Sequence, residues 1–197
     1  MSEQKDLELL IHGHTPILQI ETHEEKRALE LLVRIATQNV IPLFKWSVTE
    51  GLRRVDIDLG VQRHNAEPKD VLGHIKSADV DGIYVLLDFE PYIQEPVNER
   101  YIKEIAMQYE GGRNKLVFIS HKIDIPAGLS KRVARFELRL PDSKALEQII
   151  RDEAGKWQLE SGKQISTNPK SLQRLMRNLS GLTFNDARRL IRNAIVD

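Results

Sequence analysis

Two uninterrupted apolar runs, IYVLL at 83–87 and LVFI at 116–119, most constrain the fold of this chain. A run without polar alternation is typical of a strand that is covered on both faces, as in a parallel sheet. Amphipathic helical patterns separate these runs from further short strands, which we expect at 17–20, 41–48 and 136–138. Strands that alternate with helices predict an α/β fold with a five-stranded, largely parallel sheet flanked by helices.

The helices of this α/β body are predicted from apolar spacing and from capping residues. Thr22 with Glu25 three residues later has the pattern of a capping box, and it predicts the start of a helix. Alternation of Val55, Ile57 and Leu59 with acidic residues predicts an exposed edge strand or hairpin within 53–66. The remaining helices are expected at 3–12, 68–77 and 97–109.

After Pro141 the pattern contains helices alone, so we expect an α/β body at 1–141 and a small all-helical subdomain at 142–197. A first helix is predicted at 142–154, followed by a polar, Gly/Ser-rich loop or frayed helix end at 155–167. Asn168 is expected to cap a second helix, and Thr183 with Asp186 to open a third. The inward residues of the third helix are predicted to be Ala187, Leu190, Ile191, Ala194 and Ile195.

Composition excludes several classes of protein. The 29 basic residues balance 29 acidic ones, which counts against a dedicated nucleic-acid-binding protein. There is no cysteine, so a disulfide framework, a thiolate nucleophile and a cysteine zinc site are excluded. No apolar run approaches the roughly 20 residues of a membrane span, and no signal peptide is recognisable. These features predict a cytoplasmic protein that does not enter a membrane.

The balanced charge hides an asymmetry along the chain. Residues 1–100 carry 11 basic and 18 acidic side chains, a net charge of −7, and residues 101–197 carry 18 and 11, a net charge of +7. Such polarity favours head-to-tail association into a homo-oligomer, or a basic face for an anionic ligand. Trp46 and Trp157 are expected in the core or half-buried, rather than as a platform for stacking bases.

Several segments resemble the modules of AAA-type ATPases. LLDFE at 86–90 lies where an acidic Walker B strand would end, and KLVFIS at 115–120 lies where a sensor-1 strand would be. RFELRLPD at 135–142 resembles the fifth strand and its exit into the lid. GLTFNDAR at 181–188 resembles the start of the lid helix that carries a sensor-2 arginine.

A closer resemblance is to the N-terminal region of the chloroplast-reading-frame (ycf-type) AAA ATPases. It rests on the order and spacing of ILQIET at 17–22, WSVT with GL at 46–52, LDF at 87–89 and LPD at 140–142. In that family this region is similar to a degenerate ATPase-like domain placed before an intact AAA module. The resemblance implies that a longer parent protein binds ATP and Mg²⁺ and that its AAA module or other subunits are the partners of this region.

The position of a phosphate-binding loop, between the strand at 17–20 and the next helix, lacks the residues that such a loop needs. A P-loop wraps phosphates with glycine-rich backbone amides and adds a lysine and a Ser/Thr. The segment ETHEEKR at 21–27 has no glycine and carries the carboxylates of Glu21, Glu24 and Glu25. We therefore expect no tightly bound cofactor in this chain and no ATPase activity.

Two other functions stay open. A divergent nucleotide-binding domain would use Thr22, Lys26 and Arg188. In an extended strand, residues two apart point to the same side, so Asp88 and Glu90 are candidate ligands for a magnesium ion. A nucleic-acid processing accessory would use the basic half of the chain.

The leading hypothesis is a catalytically silent AAA-like domain that acts in assembly or partner binding. The arginines of the lid-like helices and of the segment before the last strand are the interface candidates, the latter because an arginine finger acts on a neighbour's nucleotide. These candidates are Arg132, Arg135, Arg174, Arg177, Arg189 and Arg192.

Overall fold

The computed structural model describes residues 3–55, 65–162 and 168–196. The chain divides into two compact units, residues 1–138 and residues 139–197. The first unit is an α/β layer structure and the second is all-helical. The predicted α/β fold class is thereby confirmed.

The first unit alternates strands with helices along the chain. Its elements are α1 (Glu3–His12), β1 (Ile17–Glu21), α2 (Glu25–Asn39), β2 (Leu43–Ser47), β3 (Gly51–Arg54), α3 (Pro68–Ser77), β4 (Ile83–Leu87), α4 (Glu90–Ile93), α5 (Pro96–Tyr109), β5 (Lys115–Ser120), a 3-10 helix (Ala127–Arg132) and β6 (Val133–Phe136).

Within the described residues, six strands form one sheet in the order β3-β2-β4-β5-β1-β6. All neighbouring pairs are parallel except β2 and β3, which form an antiparallel hairpin. The sheet therefore has one strand more than the five predicted. The predicted strand at 41–48 ends at Ser47, where a turn with Glu50 N–H on the Ser47 carbonyl (3.2 Å) reverses the chain.

Gly51 makes this hairpin sterically accessible because its φ of 71° lies in the left-handed region. The edge strand or hairpin expected within 53–66 coincides with the structure at residues 53–54. Val55 lies in a bend, and most of the alternating segment, 56–64, falls outside the described residues.

The sheet is buried on both faces, as the apolar runs predict. Alternate residues of β4 and β5 enter two different clusters: Leu86 and Phe118 pack with α3 and α5, whereas Val85 and Val117 pack with α1 and α2. Trp46 of β2 is completely buried in the first cluster, as expected. The sheet and its two helical layers hold the strand ends in fixed positions.

The second unit contains α6 (Ser143–Ser161), α7 (Pro169–Leu179) and α8 (Phe184–Val196). Asp142 caps α6 because its Oδ1 accepts the backbone N–H of Ala145 at 2.8 Å. Asn168 caps α7 in the same way, with its Oδ1 accepting the backbone N–H of Ser171 at 2.7 Å. Thr183 and Asp186 form the predicted box, with the Asp186 N–H on Thr183 Oγ1 at 3.2 Å. The cap predictions for Asn168 and Thr183 are confirmed.

Two predictions for the second unit are wrong. The loop or frayed helix end expected at 155–167 is helical as far as Ser161, where Gly162 ends α6 with a φ of 69°, and residues 163–167 fall outside the described residues. Leu190 and Ala194 are exposed, because the inward stripe of α8 runs through Ala187 and Ile191. Ala187 and Ile191 pack with Leu146, Ile149 and Leu179 to form the core of this unit.

Candidate functional site at the carboxyl edge of the sheet

The carboxyl ends of β1, β4 and β5 meet at one edge of the sheet because these strands are parallel neighbours. In open α/β sheets, ligands bind outside this edge. The loops and helix starts that follow these strands are therefore the first place to look for a site. All of them belong to the first unit.

The connection between β1 and α2 is three residues long, 22–24. It is held by backbone contacts: the Thr22 N–H donates to the Ser120 carbonyl (2.8 Å), and the Glu24 N–H donates to Thr22 Oγ1 (2.9 Å). The capping box predicted for Thr22 and Glu25 is wrong, because Glu24 is the N-cap of α2 and its side chain caps nothing. The connection is therefore short, and the backbone amides of Thr22 and Glu24 are already hydrogen-bonded within the protein.

The charged side chains that flank this connection are bound to other groups of the protein. Glu21 Oε1 accepts hydrogen bonds from the Ile123 N–H (2.8 Å) and from Gln19 Nε2 (2.9 Å). Arg27 bonds the buried Glu24 at 3.0 Å and Glu3 of α1 at 2.6 Å. Arg27 thus ties α1 to the start of α2, and its guanidinium faces carboxylates.

Lys26, a candidate residue of the alternative divergent nucleotide-binding domain, has an 89% exposed side chain 4.0 Å from Glu30. This is the geometry of an i,i+4 pair on a solvated helix face, which contributes little to stability. Thr22 lies at the candidate site, but its Oγ1 already accepts the backbone N–H of Glu24, the residue before α2. The exposed Arg188 lies on α8 in the second unit.

A carboxylate cluster, defined as Glu25, Glu50 and Asp88, occupies the same edge together with Lys45. Partial burial, followed by the charge of Asp88, raises the pKa of Glu25, and Lys45 opposes this rise. Lys45 is itself paired with Glu50 at 2.7 Å. Glu25, the first residue of α2, thus lies near two further carboxylates, at a place where a phosphate would need amide donors and positive charge.

Asp88 and Glu90 do not lie on one extended strand. Asp88 follows β4 with a left-handed φ of 48°, and Glu90 is the first residue of α4. The geometric argument for Asp88 and Glu90 as a magnesium pair is therefore wrong, since the strand ends at Leu87. The Asp88 backbone N–H donates to the Ile119 carbonyl (2.9 Å), and Asp88 Oδ1 accepts from Ser120 Oγ (3.1 Å).

A pair of histidines was missed by the sequence analysis. The rings of His23, after β1, and His121, after β5, are stacked with centroids 6.0 Å apart. The signal was available, because each histidine closely follows a predicted parallel strand. Among the described residues, no group of three or more His, Asp or Glu side chains is arranged to hold a metal ion.

The interface candidates occupy different environments. Arg132 lies 3.7 Å from Glu110, and Arg135 is exposed on the edge strand β6. Arg189 pairs with Asp186 at 2.9 Å. Arg174 and Arg177 are exposed on α7.

Arg192 bonds the buried Glu153 across α6 and α8. Burial alone would raise the pKa of Glu153, but hydrogen bonds from Arg192 and Lys156 outweigh it and lower the pKa. The Glu153 carboxylate is therefore held ionised at neutral pH inside the second unit. Arg192 has a structural partner within its own unit, which its sequence pattern did not indicate.

None of the helices in the described ranges is sufficiently long and apolar to traverse a bilayer.

Comparisons with known proteins agree with the resemblance of the sequence. Residues 3–138 match the family model "SpoVK-like AAA ATPase, N-terminal domain", and residues 144–197 match "SpoVK-like AAA ATPase, second domain". Curated relatives from Pyropia yezoensis and Guillardia theta, each described as "Uncharacterized AAA domain-containing protein ycf46", are 25% and 24% identical over 99% of this chain. The chain spans 39% and 38% of their lengths.

Solved structures show the same fold at low identity. The AAA domain of FIGL-1 in complex with ADP aligns with a TM-score of 0.58 and 15% identity, over 98% of this chain and 65% of that one. Domain III of the Thermotoga maritima replication initiation protein DnaA aligns with a TM-score of 0.51 and 16% identity, over 98% and 80%. The predicted AAA-type resemblance is confirmed, and the chain belongs to the SpoVK-like AAA ATPase family, of which it carries the N-terminal and second domains.

Proposed function

We propose that this chain is a non-hydrolytic region of an AAA ATPase and that it serves in assembly or partner binding. The observation that carries the proposal is the connection between β1 and α2. It has three residues and no glycine; the Glu24 N–H donates to Thr22 Oγ1, and the Thr22 N–H donates to the Ser120 carbonyl of β5. A nucleotide would find neither a loop of free amides nor an inward lysine.

The charged residues at this edge of the sheet also disfavour nucleotide binding. Each charge-assisted hydrogen bond contributes about 1.5–3 kcal/mol, so losing the lysine and several amides together removes most nucleotide affinity. Glu25 and Asp88 would in addition repel a triphosphate, because each places a carboxylate at the edge where the phosphates would lie. The fold is retained while the chemistry of phosphate binding is lost.

Hydrolysis would then belong to another part of the parent protein. The curated relatives are more than twice as long as this chain, which leaves room for an intact AAA module. In this proposal the parent binds ATP and Mg²⁺ through that module, and the region described here docks on it or on neighbouring subunits.

Titration with ATP and Mg²⁺ tests the silent-domain proposal directly. We expect no heat of binding and no thermal shift at about 1 mM nucleotide. A site whose dissociation constant is about a hundredfold below the nucleotide concentration would stabilise the fold by roughly 2.7 kcal/mol. Isothermal calorimetry and a thermal melt measure the two quantities independently.

The matched control is Lys26→Ala, which removes the one lysine of the 21–27 segment. Because the Lys26 side chain is 89% exposed, the fold of the variant is expected to be unchanged. Micromolar ATP binding by the natural chain that disappears in Lys26→Ala would overturn the proposal and establish the divergent nucleotide-binding domain instead.

Charge asymmetry supports the assembly half of the proposal. Residues 1–138 carry 18 basic and 22 acidic side chains, and residues 139–197 carry 11 and 7, so the units have net charges of −4 and +4. We expect self-association that weakens as salt screens these charges, with sedimentation velocity showing larger species at about 50 mM than at about 500 mM NaCl. Arg189→Glu should reduce the larger species, because it removes positive charge from the basic unit.

Arg151→Glu is the control for this experiment, because Arg151 is exposed in the same unit, is paired with a carboxylate as Arg189 is, and makes the same charge change outside the interface candidates. Equal losses in both variants would assign the effect to net charge rather than to Arg189. A monomer at both salt concentrations would reject self-association.

A further inference from the structure

α7 carries its basic residues on one stripe. Lys170, Arg174 and Arg177 follow one another at i, i+4 and i+7, and the helix Pro169–Leu179 contains no acidic residue. Successive residues turn about 100° around a helix axis and rise about 1.5 Å, so the three side chains start within an arc of roughly 60° and a length of roughly 10 Å. We call Lys170, Arg174 and Arg177 the α7 stripe.

The α7 stripe is exposed and uncompensated. All three residues are exposed to solvent, and in the part of the chain that the structure describes none of them forms an ion pair. Other cations of the same unit do: Arg151 pairs with Glu147, and Arg189 with Asp186. Positive charge on α7 is therefore available to an external anion.

The orientation of the stripe is fixed by packing. Leu175, Met176 and Leu179 on the opposite side of α7 enter the apolar cluster of the second unit. A helix that binds in the surface of a membrane needs a free apolar face to bury among the lipids. That face of α7 is already used, which excludes this mode of membrane binding and leaves the stripe for a polyanion in solution.

We propose that the α7 stripe binds the phosphate backbone of duplex DNA without sequence specificity. The arginine guanidinium pairs with phosphate through two parallel hydrogen bonds, and duplex DNA offers one negative charge per roughly 1.7 Å of axis. Exposed Ser171, Gln173 and Asn178 lie on the same helix and supply the neutral hydrogen-bonding groups that commonly contact phosphates.

Duplex DNA is favoured over a single strand because the helix lacks aromatic residues. Proteins that bind single strands without sequence preference stack the bases on aromatic side chains. Pro169–Leu179 contains no Phe, Tyr or Trp. Its basic side chains can neutralise a backbone but cannot hold unstacked bases.

The test is fluorescence anisotropy of the full 197-residue chain with a labelled duplex of mixed sequence, at several salt concentrations. Three neutralised phosphates predict a slope of log affinity against log salt near −2.7, which is about 0.9 per contact. The Lys170→Gln, Arg174→Gln, Arg177→Gln triple variant should lose most of this slope and bind at least about tenfold more weakly at low salt.

A second triple variant controls for net charge. Arg139→Gln, Lys144→Gln and Arg151→Gln remove the same charge from exposed positions of the same unit. The affinity of this variant is expected to stay within about twofold of that of the natural chain, because these residues lie outside α7 and Arg151 already has a carboxylate partner. Circular dichroism melts show whether both variants keep the helical unit.

Other occupants give distinguishable outcomes. Equal weakening by both triple variants, tighter binding to single-stranded DNA or duplex RNA than to duplex DNA, or binding to poly-glutamate and not to DNA would each overturn the proposal. Binding to anionic vesicles in its place would do the same. ATP is absent from every arm, so the result is independent of whether the first unit binds nucleotide.

Discussion

Replacing Trp46 with alanine is expected to lower the free energy of unfolding of the α/β unit by about 3–5 kcal/mol. The side chain is 0% exposed and lies edge-on to Phe89, with ring centroids 5.1 Å apart. Its indole N–H donates to the Asn65 carbonyl at 2.8 Å. The variant thus loses core packing and leaves that carbonyl without the indole donor. Urea unfolding followed by far-UV circular dichroism measures the change.

Two variants separate the contributions. Trp46→Phe keeps an aromatic ring and loses the hydrogen bond, so its cost should be smaller than that of the alanine variant. Trp157→Ala removes an indole that is only half-buried in the other unit, and we expect the urea midpoint of the α/β unit to stay unchanged. A loss below about 1 kcal/mol in Trp46→Ala would contradict the core position assigned to this residue.

The α/β layers could be predicted from the sequence because a strand buried on both faces has an uninterrupted run of apolar residues. The runs at 83–87 and 116–119 correspond to β4 and β5, whose residues are all buried. The sequence signal for β3 is weaker, since β3 is a four-residue edge strand, GLRR, with one glycine and two arginines. β3 forms by pairing with β2, and the apolar pattern of its own residues does not reveal that pairing.

The length of α6 also depends on contacts that are distant in sequence. Residues 155–167 are mostly polar and begin with a glycine, which locally favours a loop. In the structure the buried Glu153 of α6 bonds Arg192 of α8, which lies 39 residues further along the chain. A contact at this separation leaves no pattern in the local sequence of α6, so that sequence alone does not show where the helix ends.

The candidate site was predicted in part. The absence of glycine between β1 and α2 is a property of the sequence, so the argument against a phosphate cradle needed no coordinates. The stack of His23 on His121 and the proximity of Glu25 to Asp88 needed the sheet, because strand order brings residues from three connections to one edge. Asp88 departs from the strand geometry assumed for it because β4 ends one residue earlier.

Replacing Ile191 with aspartate is expected to unfold the helical unit and to leave the α/β unit folded. Ile191 is 0% exposed in a cluster that has five buried apolar members among the described residues. An unpaired buried carboxylate costs several kcal/mol, and a unit of this size has only a few kcal/mol of stability to lose. The two tryptophans report separately: Trp46 lies in the first unit and Trp157 in the second.

The experiment therefore uses two backgrounds, Trp46→Phe and Trp157→Phe, each with one remaining indole. In Ile191→Asp, Trp157 fluorescence should already be that of the unfolded unit without denaturant, while Trp46 keeps a cooperative urea transition. Leu190→Asp is the matched control, because the neighbouring side chain is 43% exposed and its carboxylate stays in water. Simultaneous loss of both signals in Ile191→Asp would mean that the two units fold as one, and it would reject the proposed division into an α/β body and a helical subdomain.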